Sequence, residues 1–181
     1  MYKNFLIFIL FLLPFNSLSY WQQRVEYKIR IDFDHKKHQF IGEQNLIYFN
    51  NSPDTITKVF FHLYFNAFQP GSMMDVRSRS LPDPDSRVMD RISNLNKNEI
   101  GFHQIKQIQQ NGENLNHHIQ GTILEVELKE PLVPNQSTSF YLKYFSQVPA
   151  QIRRSGRNNK EGIDYSMAQW FPKIAEYDKN G

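Results

Sequence analysis

Apolar and polar side chains alternate with a period of two in several parts of the chain. The clearest case is residues 25–33 (VEYKIRIDF), where apolar positions alternate with charged ones. This alternation is typical of a strand with one buried and one solvated face. Residues 40–49 and 56–65 are also β-like, and polar connections at 34–38 and 50–54 precede them. The three segments therefore predict an antiparallel meander that begins with a hairpin.

The pattern breaks between residues 66 and 98, where Pro70-Gly71 and Leu81-Pro82-Asp83-Pro84 indicate loops. Asp85 and Ser86 can cap a short helix, because apolar residues follow them at helical spacing. These apolar residues are Val88, Met89, Ile92 and Leu95.

Strand patterns return in the second half, at 101–109, 124–128 and 140–145, and Asn111-Gly112 is a strong hairpin-turn signal. Gly42 in the second strand predicts a bulge or a close backbone contact. Six or seven strands with mostly short connections predict an all-β fold. We expect an antiparallel sandwich or saddle-like sheet with one short helix.

Residues 1–19 have the pattern of a secretory signal peptide, with Lys3 before an apolar run and a small polar end at Ser17 and Ser19. We expect cleavage after Ser19, export to the periplasm or the medium, and one β-rich domain at 20–181. The apolar run is shorter than the roughly 20 residues that cross a bilayer. We therefore expect no membrane span after cleavage.

Composition narrows the function classes further. The chain has no cysteine, so the fold depends on packing without disulfides. Its net charge of +3 is too small for a nucleic-acid footprint, and we expect no nucleic-acid partner.

Histidine placement argues against a metal site or a catalytic site in this chain. The string H-E-x-x-H is absent, His35 and His38 fall in a lysine-rich loop, and adjacent residues such as His117 and His118 point to opposite faces of a strand. No G-x-S-x-G elbow is present either. We expect neither catalytic nor metal-binding residues.

Two C-terminal segments are candidates for binding. The cluster 153–157 (RRSGR) can bind an anion, although a flexible basic loop is the favoured interpretation. Residues 165–178 combine large aromatic residues, the amide of Gln169 and a backbone-fixing proline. The alternative there is an edge strand that packs Trp170 and Phe171 into a core.

The order of these segments resembles the start of the aminopeptidase N family of zinc metallopeptidases. The matching pieces are 27–32 (YKIRID), 40–42 (FIG), 50–54 (NNSPD), 59–63 (VFFHL), 124–128 (LEVEL), 132–136 (LVPNQ), 140–144 (FYLKY) and 168–172 (AQWFP). Together they extend over nearly all of residues 20–181, and their order and spacing carry the resemblance.

The resemblance implies the saddle-shaped N-terminal domain of an exported aminopeptidase, with the chain ending before the catalytic domain. That domain would supply the zinc ligands and would be this chain's partner, together with the peptide substrate. This chain alone is expected to be inactive and to form one wall of the peptide cleft. Gln169 is the candidate acceptor for the substrate's α-ammonium group. The alternative is a free-standing secreted β-sandwich that binds peptide or glycan through aromatic residues near Trp170.

Overall fold

The computed structural model describes residues 21–179, in which eleven strands, one 3₁₀ turn and one α-helix form. The strands are β1 (Arg24–Asp34), β2 (Gln39–Phe49), β3 (Ile56–His62), β4 (Phe102–Gln110), β5 (Glu113–Asn114), β6 (His117–Gln120), β7 (Ile123–Leu132), β8 (Ser137–Gln147), β9 (Gly156–Arg157), β10 (Tyr165–Ser166) and β11 (Lys173–Ile174). The 3₁₀ turn is Tyr64–Ala67 and the helix α1 is Met73–Ser80. The predicted signal peptide and its cleavage site lie outside the described residues.

The strands form two main sheets with antiparallel pairing throughout. Sheet A has the order β1-β2-β8-β4-β5, and sheet B has the order β11-β3-β7-β6. The short strands β9 and β10 pair with each other. This confirms the predicted all-β, antiparallel, sandwich-like fold with one short helix.

One hydrophobic core fills the space between sheets A and B. Phe61 of β3 and Phe140 of β8 meet edge to face across it, with ring centroids 6.2 Å apart. Both side chains are buried, as are the alternating apolar residues beside them. Fully burying such a side chain stabilises the fold by about 1.5–3 kcal/mol. We call this double-sheet structure the sandwich body.

The β1–β2 hairpin forms as predicted, with continuous register from Arg24↔Phe49 to Asp34↔Gln39. At Gly42 the register with both neighbouring strands is also continuous. A Cβ atom at this position would overlap the ring of Tyr144. Of the two alternatives for Gly42, the structure therefore has the close contact and not the bulge.

The predicted meander is wrong, because β3 ends at His62 and lies in sheet B, opposite β1 and β2. The buried side chain of Asn50 explains why the chain crosses from sheet A to sheet B after β2. Its Nδ2 donates to the carbonyl oxygens of Asp54 (2.7 Å) and Leu132 (3.0 Å), which fastens the 50–55 turn to the end of β7. The chain after β2 is thereby led to the opposite sheet.

The helix was predicted at the wrong place. Helix α1 begins after Ser72, whose Oγ accepts a hydrogen bond from the amide of Asp75 at 3.2 Å. Residues 86–94 form successive turns instead, and Met89 has a φ of 41°, which a continuous helix does not allow. Among residues 21–179, no helical segment has the length and hydropathy of a transmembrane helix.

The apolar residues of the predicted helix are still used in packing. Val88 and Ile92 are buried with Phe68 and Ile152 in a second, smaller cluster, which we call the satellite core. The predicted Asn111-Gly112 turn is confirmed, since both residues have positive φ (50° and 88°) and join β4 to β5.

Candidate functional site

A cleft of about 390 Å³ opens between the helical segment after β3 and two loops of the C-terminal part. Its volume lies within the range of small-ligand sites, roughly 300–1,000 Å³. The lining residues are Tyr64, Phe65, Ala67, Phe68, Met74, Arg153, Arg154, Ser155, Ala168 and Gln169. Both C-terminal segments that the sequence marked for binding thus contribute to the same cleft.

Aromatic residues form the wall of the cleft on the side of the 3₁₀ turn. Phe65 is fully buried and stacks on the imidazole of His103, with centroids 4.7 Å apart and planes within 8°. Tyr64 stacks on His62 at 5.1 Å. These contacts pack the wall from behind with neighbouring side chains.

His103 supports this wall from inside the core. Its Nδ1 lies 2.6 Å from Ser146 Oγ, while its Nε2 has no partner among residues 21–179. Burial lowers the pKa of His103 to about 3, so the imidazole is neutral near pH 7. The ring is 3% exposed and cannot reach a ligand in the cleft. Its sequence context gave no signal of this role.

Gln169 lies at the cleft with an exposed side chain. No hydrogen bond to its amide occurs in the part of the chain that the structure describes, so its carbonyl oxygen is free to accept one. The residue has a φ of 54°, in the left-handed region that non-glycine residues rarely occupy. Such strain is characteristic of functional sites, where the surroundings impose it.

The segment that carries Gln169 is anchored to sheet A by two polar side chains. Buried Gln44 donates from Nε2 to the carbonyl of Pro172 at 2.9 Å, and the hydroxyl of Tyr27 accepts from the amide of Ile174 at 3.0 Å. Strand β11 then pairs with β3 and forms one edge of sheet B. Gln169 is consequently presented from a segment that both sheets hold.

Ring contacts complete the anchoring. Trp170 packs edge to face on Phe40 (6.0 Å) and Phe171 on Tyr27 (5.3 Å). The packing that the sequence offered as an alternative to a site therefore exists beside the site. The aromatic residues fix the segment, and Gln169, which lies between Ala168 and Trp170, is exposed.

The basic segment 153–157 is tied to its surroundings, whereas the sequence favoured a flexible loop. Arg157 is 8% exposed and donates to the carbonyl oxygens of Asn98 (2.6 Å) and Val148 (3.3 Å). Arg91 donates to the carbonyl of Gln151 at 2.8 Å. The buried Ile152 joins the satellite core.

The two arginines on the cleft differ in their partners. Arg153 Nε lies 3.2 Å from Asp85 Oδ2, and Asp85 is also paired with Arg87. The hydrogen bond from Arg87 lowers the pKa of Asp85 to about 2, so this carboxylate is ionised at neutral pH. Arg154 is exposed and has no ion-pair partner within residues 21–179.

The histidines of the β1–β2 loop and of β6 take structural or surface positions. His38 Nδ1 lies 2.6 Å from the hydroxyl of Tyr165, and that hydroxyl donates to the carbonyl of His35. His117 and His118 are exposed on β6. Among residues 21–179 there is no group of three or more His, Asp or Glu side chains that is placed to hold a metal ion.

No protein-family model and no curated protein matches the chain. Among solved structures, a two-domain M1 zinc metallopeptidase mutant bound to L-arginine matches with a TM-score of 0.51 and 14% identity, over 84% of this chain and 29% of that one. An M1 zinc metallopeptidase mutant from Deinococcus radiodurans, bound to a Tyr-Ser-Ala substrate, matches with a TM-score of 0.48 and 15% identity, over 82% and 26%. The chain thus spans less than a third of these structures. The first match shows a shared fold.

Proposed function

We propose that this chain is the non-catalytic N-terminal domain of an exported zinc-dependent aminopeptidase, in which it forms one wall of the peptide cleft. The parent reaction would be hydrolysis of N-terminal residues from peptides. Two observations support the proposal. The fold is similar to part of an M1 zinc metallopeptidase, and the order of sequence motifs resembles the aminopeptidase N family.

The placement of Gln169 carries the proposal. An aminopeptidase must recognise the free α-ammonium group of its substrate, which requires a hydrogen-bond acceptor at the end of the cleft. Gln169 supplies an exposed, unpaired carbonyl oxygen at a cleft of suitable size. The side chains that anchor its segment hold the backbone that carries this acceptor in place before the substrate binds, which lowers the entropic cost of recognition.

Zinc chemistry would come from outside this chain. A bound zinc ion supplies Lewis-acid activation of the scissile carbonyl and a water nucleophile. Its ligands would belong to a catalytic domain, which is this domain's proposed partner. The contribution of the present residues is limited to binding and orienting the amino terminus of the peptide.

The alternative is a free-standing module that binds peptide or glycan through aromatic residues near Trp170. The indole of Trp170 is partly buried against Phe40 and Phe171, so only part of it is open for such contacts. This packing favours the cleft-wall proposal. The two functions still differ in a direct way, because only the first requires a free amino terminus on the ligand.

Steady-state kinetics on the complete protein, as its gene encodes it, test the proposal. We expect hydrolysis of alanyl peptides and none of the N-acetylated forms. Replacing Gln169→Ala removes one hydrogen bond to a charged group, for which about 1.5–3 kcal/mol, or roughly 10- to 150-fold in kcat/KM, is expected. Gln120→Ala is the matched control, since Gln120 is an exposed amide on β6.

Two results would contradict the proposal. Equal kinetics for Gln169→Ala and Gln120→Ala would remove Gln169 from the substrate site. A gene that encodes no H-E-x-x-H motif after this domain, with tight peptide or glycan binding by the chain itself, would support the free-standing module instead.

A further inference from the structure

We propose that the cleft contains a second subsite, formed by Arg154 and Ser155, that binds a carboxylate group of the ligand. The inference rests on the proposed peptide-binding function of the same cleft and adds a substrate class to it. Arg154, Ser155 and Gln169 all line the cleft. A ligand with an ammonium group at Gln169 and a carboxylate at Arg154 would contact both residues.

Arg154 has the chemistry that this role requires. A guanidinium group presents parallel N–H donors that match the two oxygens of a carboxylate. The neighbouring Arg153 already uses its Nε on Asp85. The Arg154 side chain is exposed at the cleft and pairs with no carboxylate of residues 21–179, so its donors are available to a ligand.

The surrounding charges favour an anion. Asp85 is shared by Arg87 and Arg153, so two cations face one carboxylate there. The buried guanidinium of Arg157 is held by backbone carbonyls. Of the residues 21–179 that line the cleft, only Arg153 and Arg154 are charged, and Arg154 is the one without a carboxylate partner, so this side of the cleft attracts a carboxylate.

Ser155 provides a second, independent observation. Its hydroxyl is buried and makes no hydrogen bond within residues 21–179. A buried hydroxyl without a partner costs about 1–3 kcal/mol, and such groups call for a specific explanation. Rotation about the Cα–Cβ bond changes the direction of Oγ, and in the bound state the O–H would donate to the carboxylate held by Arg154.

The loop backbone positions both groups. Ser166 Oγ donates to the carbonyl of Arg154 at 3.1 Å, and the amide of Arg157 donates to Pro149 at 2.9 Å. Gly156 allows the close approach of this loop to Gln151, because a Cβ there would lie 2.7 Å from the Gln151 amide nitrogen. The two donors are therefore presented from a fixed backbone.

The carboxylate can come from two sources in a peptide. One is the side chain of Asp or Glu near the free amino terminus, and the other is the C-terminal carboxylate of a very short peptide. Both present the same chemistry to Arg154. Three peptides separate them: Glu-Ala-Ala amide has only the side-chain carboxylate, Ala-Ala-Ala has only the terminal one, and Gln-Ala-Ala amide has neither.

Isothermal titration calorimetry on the complete protein, treated with a chelator to prevent hydrolysis, measures the Kd of each peptide. We expect at least one carboxylate peptide to bind about fivefold or more tightly than Gln-Ala-Ala amide, which corresponds to the upper range of an exposed ion pair. Arg154→Gln should abolish this preference and Ser155→Ala should reduce it. Arg30→Gln, which changes an exposed arginine on β1, should leave it intact. The preference should also shrink as salt rises from about 50 to 500 mM.

Equal affinity for all three peptides, or an unchanged preference in Arg154→Gln, would overturn the subsite. N-acetylated versions of the same peptides separate this outcome from failure of the proposed function. If acetylation has no effect while the carboxylate preference persists, the subsite stands and the ammonium site at Gln169 fails. If acetylation abolishes binding and no carboxylate preference exists, the ammonium site at Gln169 stands and the carboxylate subsite fails.

Discussion

Two segments border the cleft, residues 153–157 and 165–178, and we call them the rim. The sandwich body and the rim are built in different ways. In the body, long strands pair over most of their length, with continuous register from β1 through β2 to β8, and apolar side chains fill the space between two sheets. On the rim, regular structure is short, Gln169 has a positive φ, and polar side chains hold backbone carbonyls over large sequence separations. The hydrophobic effect does not depend on the direction of a contact, whereas a hydrogen bond weakens steeply when its donor and acceptor are misaligned. The body therefore supplies stability, and the rim supplies defined positions for a few polar groups.

Loss of packing in the body is expected to have the largest effect. Phe61→Ala removes a fully buried ring that meets Phe140 across the core, and should lower the free energy of unfolding by about 3–5 kcal/mol. The neighbouring Phe60 points to the other face and is 40% exposed. Urea unfolding of Phe60→Ala should show a loss below about 1 kcal/mol. Similar losses for both variants would mean that the two sheets do not share a core.

Acid should weaken the body through His103. Because the folded-state pKa lies near 3, below the ordinary value of 6.5, the unfolded chain binds a proton that the folded chain does not. The contribution of neutral His103 to the free energy of unfolding is complete above pH 6.5 and is lost as the pH falls toward 3. Between pH 6.5 and 4.5 the loss should approach about 1.4 kcal/mol per pH unit.

Urea unfolding at these two pH values measures the effect. His103→Asn keeps an amide near the position of Nδ1 and removes the titrating ring. The carboxylates titrate in both proteins, so the difference between the two pH profiles of stability reports on His103 alone. Parallel pH profiles for both proteins would show that His103 does not titrate differently on unfolding.

The backbone of the rim can be tested at Gly156. A Cβ there would overlap Gln151, and φ is 147°. Gly156→Ala should cost about 2–3 kcal/mol and should weaken any binding that depends on Arg154. Gly162→Ala is the control, because φ is 79° but no atom lies within 4 Å of the added Cβ. Its expected cost is about 1 kcal/mol. An equal cost at both glycines would mean that the close approach to Gln151 is unimportant.

The smallest stability effect is expected at Gln169, where function and stability should change in opposite directions. Gln169→Gly relieves the left-handed strain, so thermal or urea unfolding should show no loss and a gain of up to about 1 kcal/mol. Substrate recognition should fall in the same variant. Gln120→Gly, in a strand, should instead lose about 0.5–1 kcal/mol. A clear loss of stability in Gln169→Gly would give this side chain a structural role.

The same contrast explains what the sequence could predict. Alternation in β1 and β8 and the Asn111-Gly112 turn are local signals, and they led to the correct strands and fold class. The pairing partner of β3 depends on Asn50 contacting Leu132, far along the chain, so the meander was predicted in error. The helix was misplaced because turns can bury Val88 and Ile92 as effectively as a helix can.

For the site, the sequence marked Gln169 and the 153–157 cluster but did not show that they share a cleft. That proximity follows from Gln44, Tyr27 and Arg157, whose bonds to distant backbone atoms have no local signature. The supporting role of His103 was equally hidden, because it arises from stacking on Phe65. Contacts between distant segments thus created most of the site.

The role of Gln169 can be seen in a structure of the complete protein with a bound tripeptide amide. We expect the peptide's amino group in the cleft, within hydrogen-bond distance, roughly 2.7–3.2 Å, of Gln169 Oε1. A peptide bound elsewhere, or bound in this cleft with its amino group away from Gln169, would contradict it.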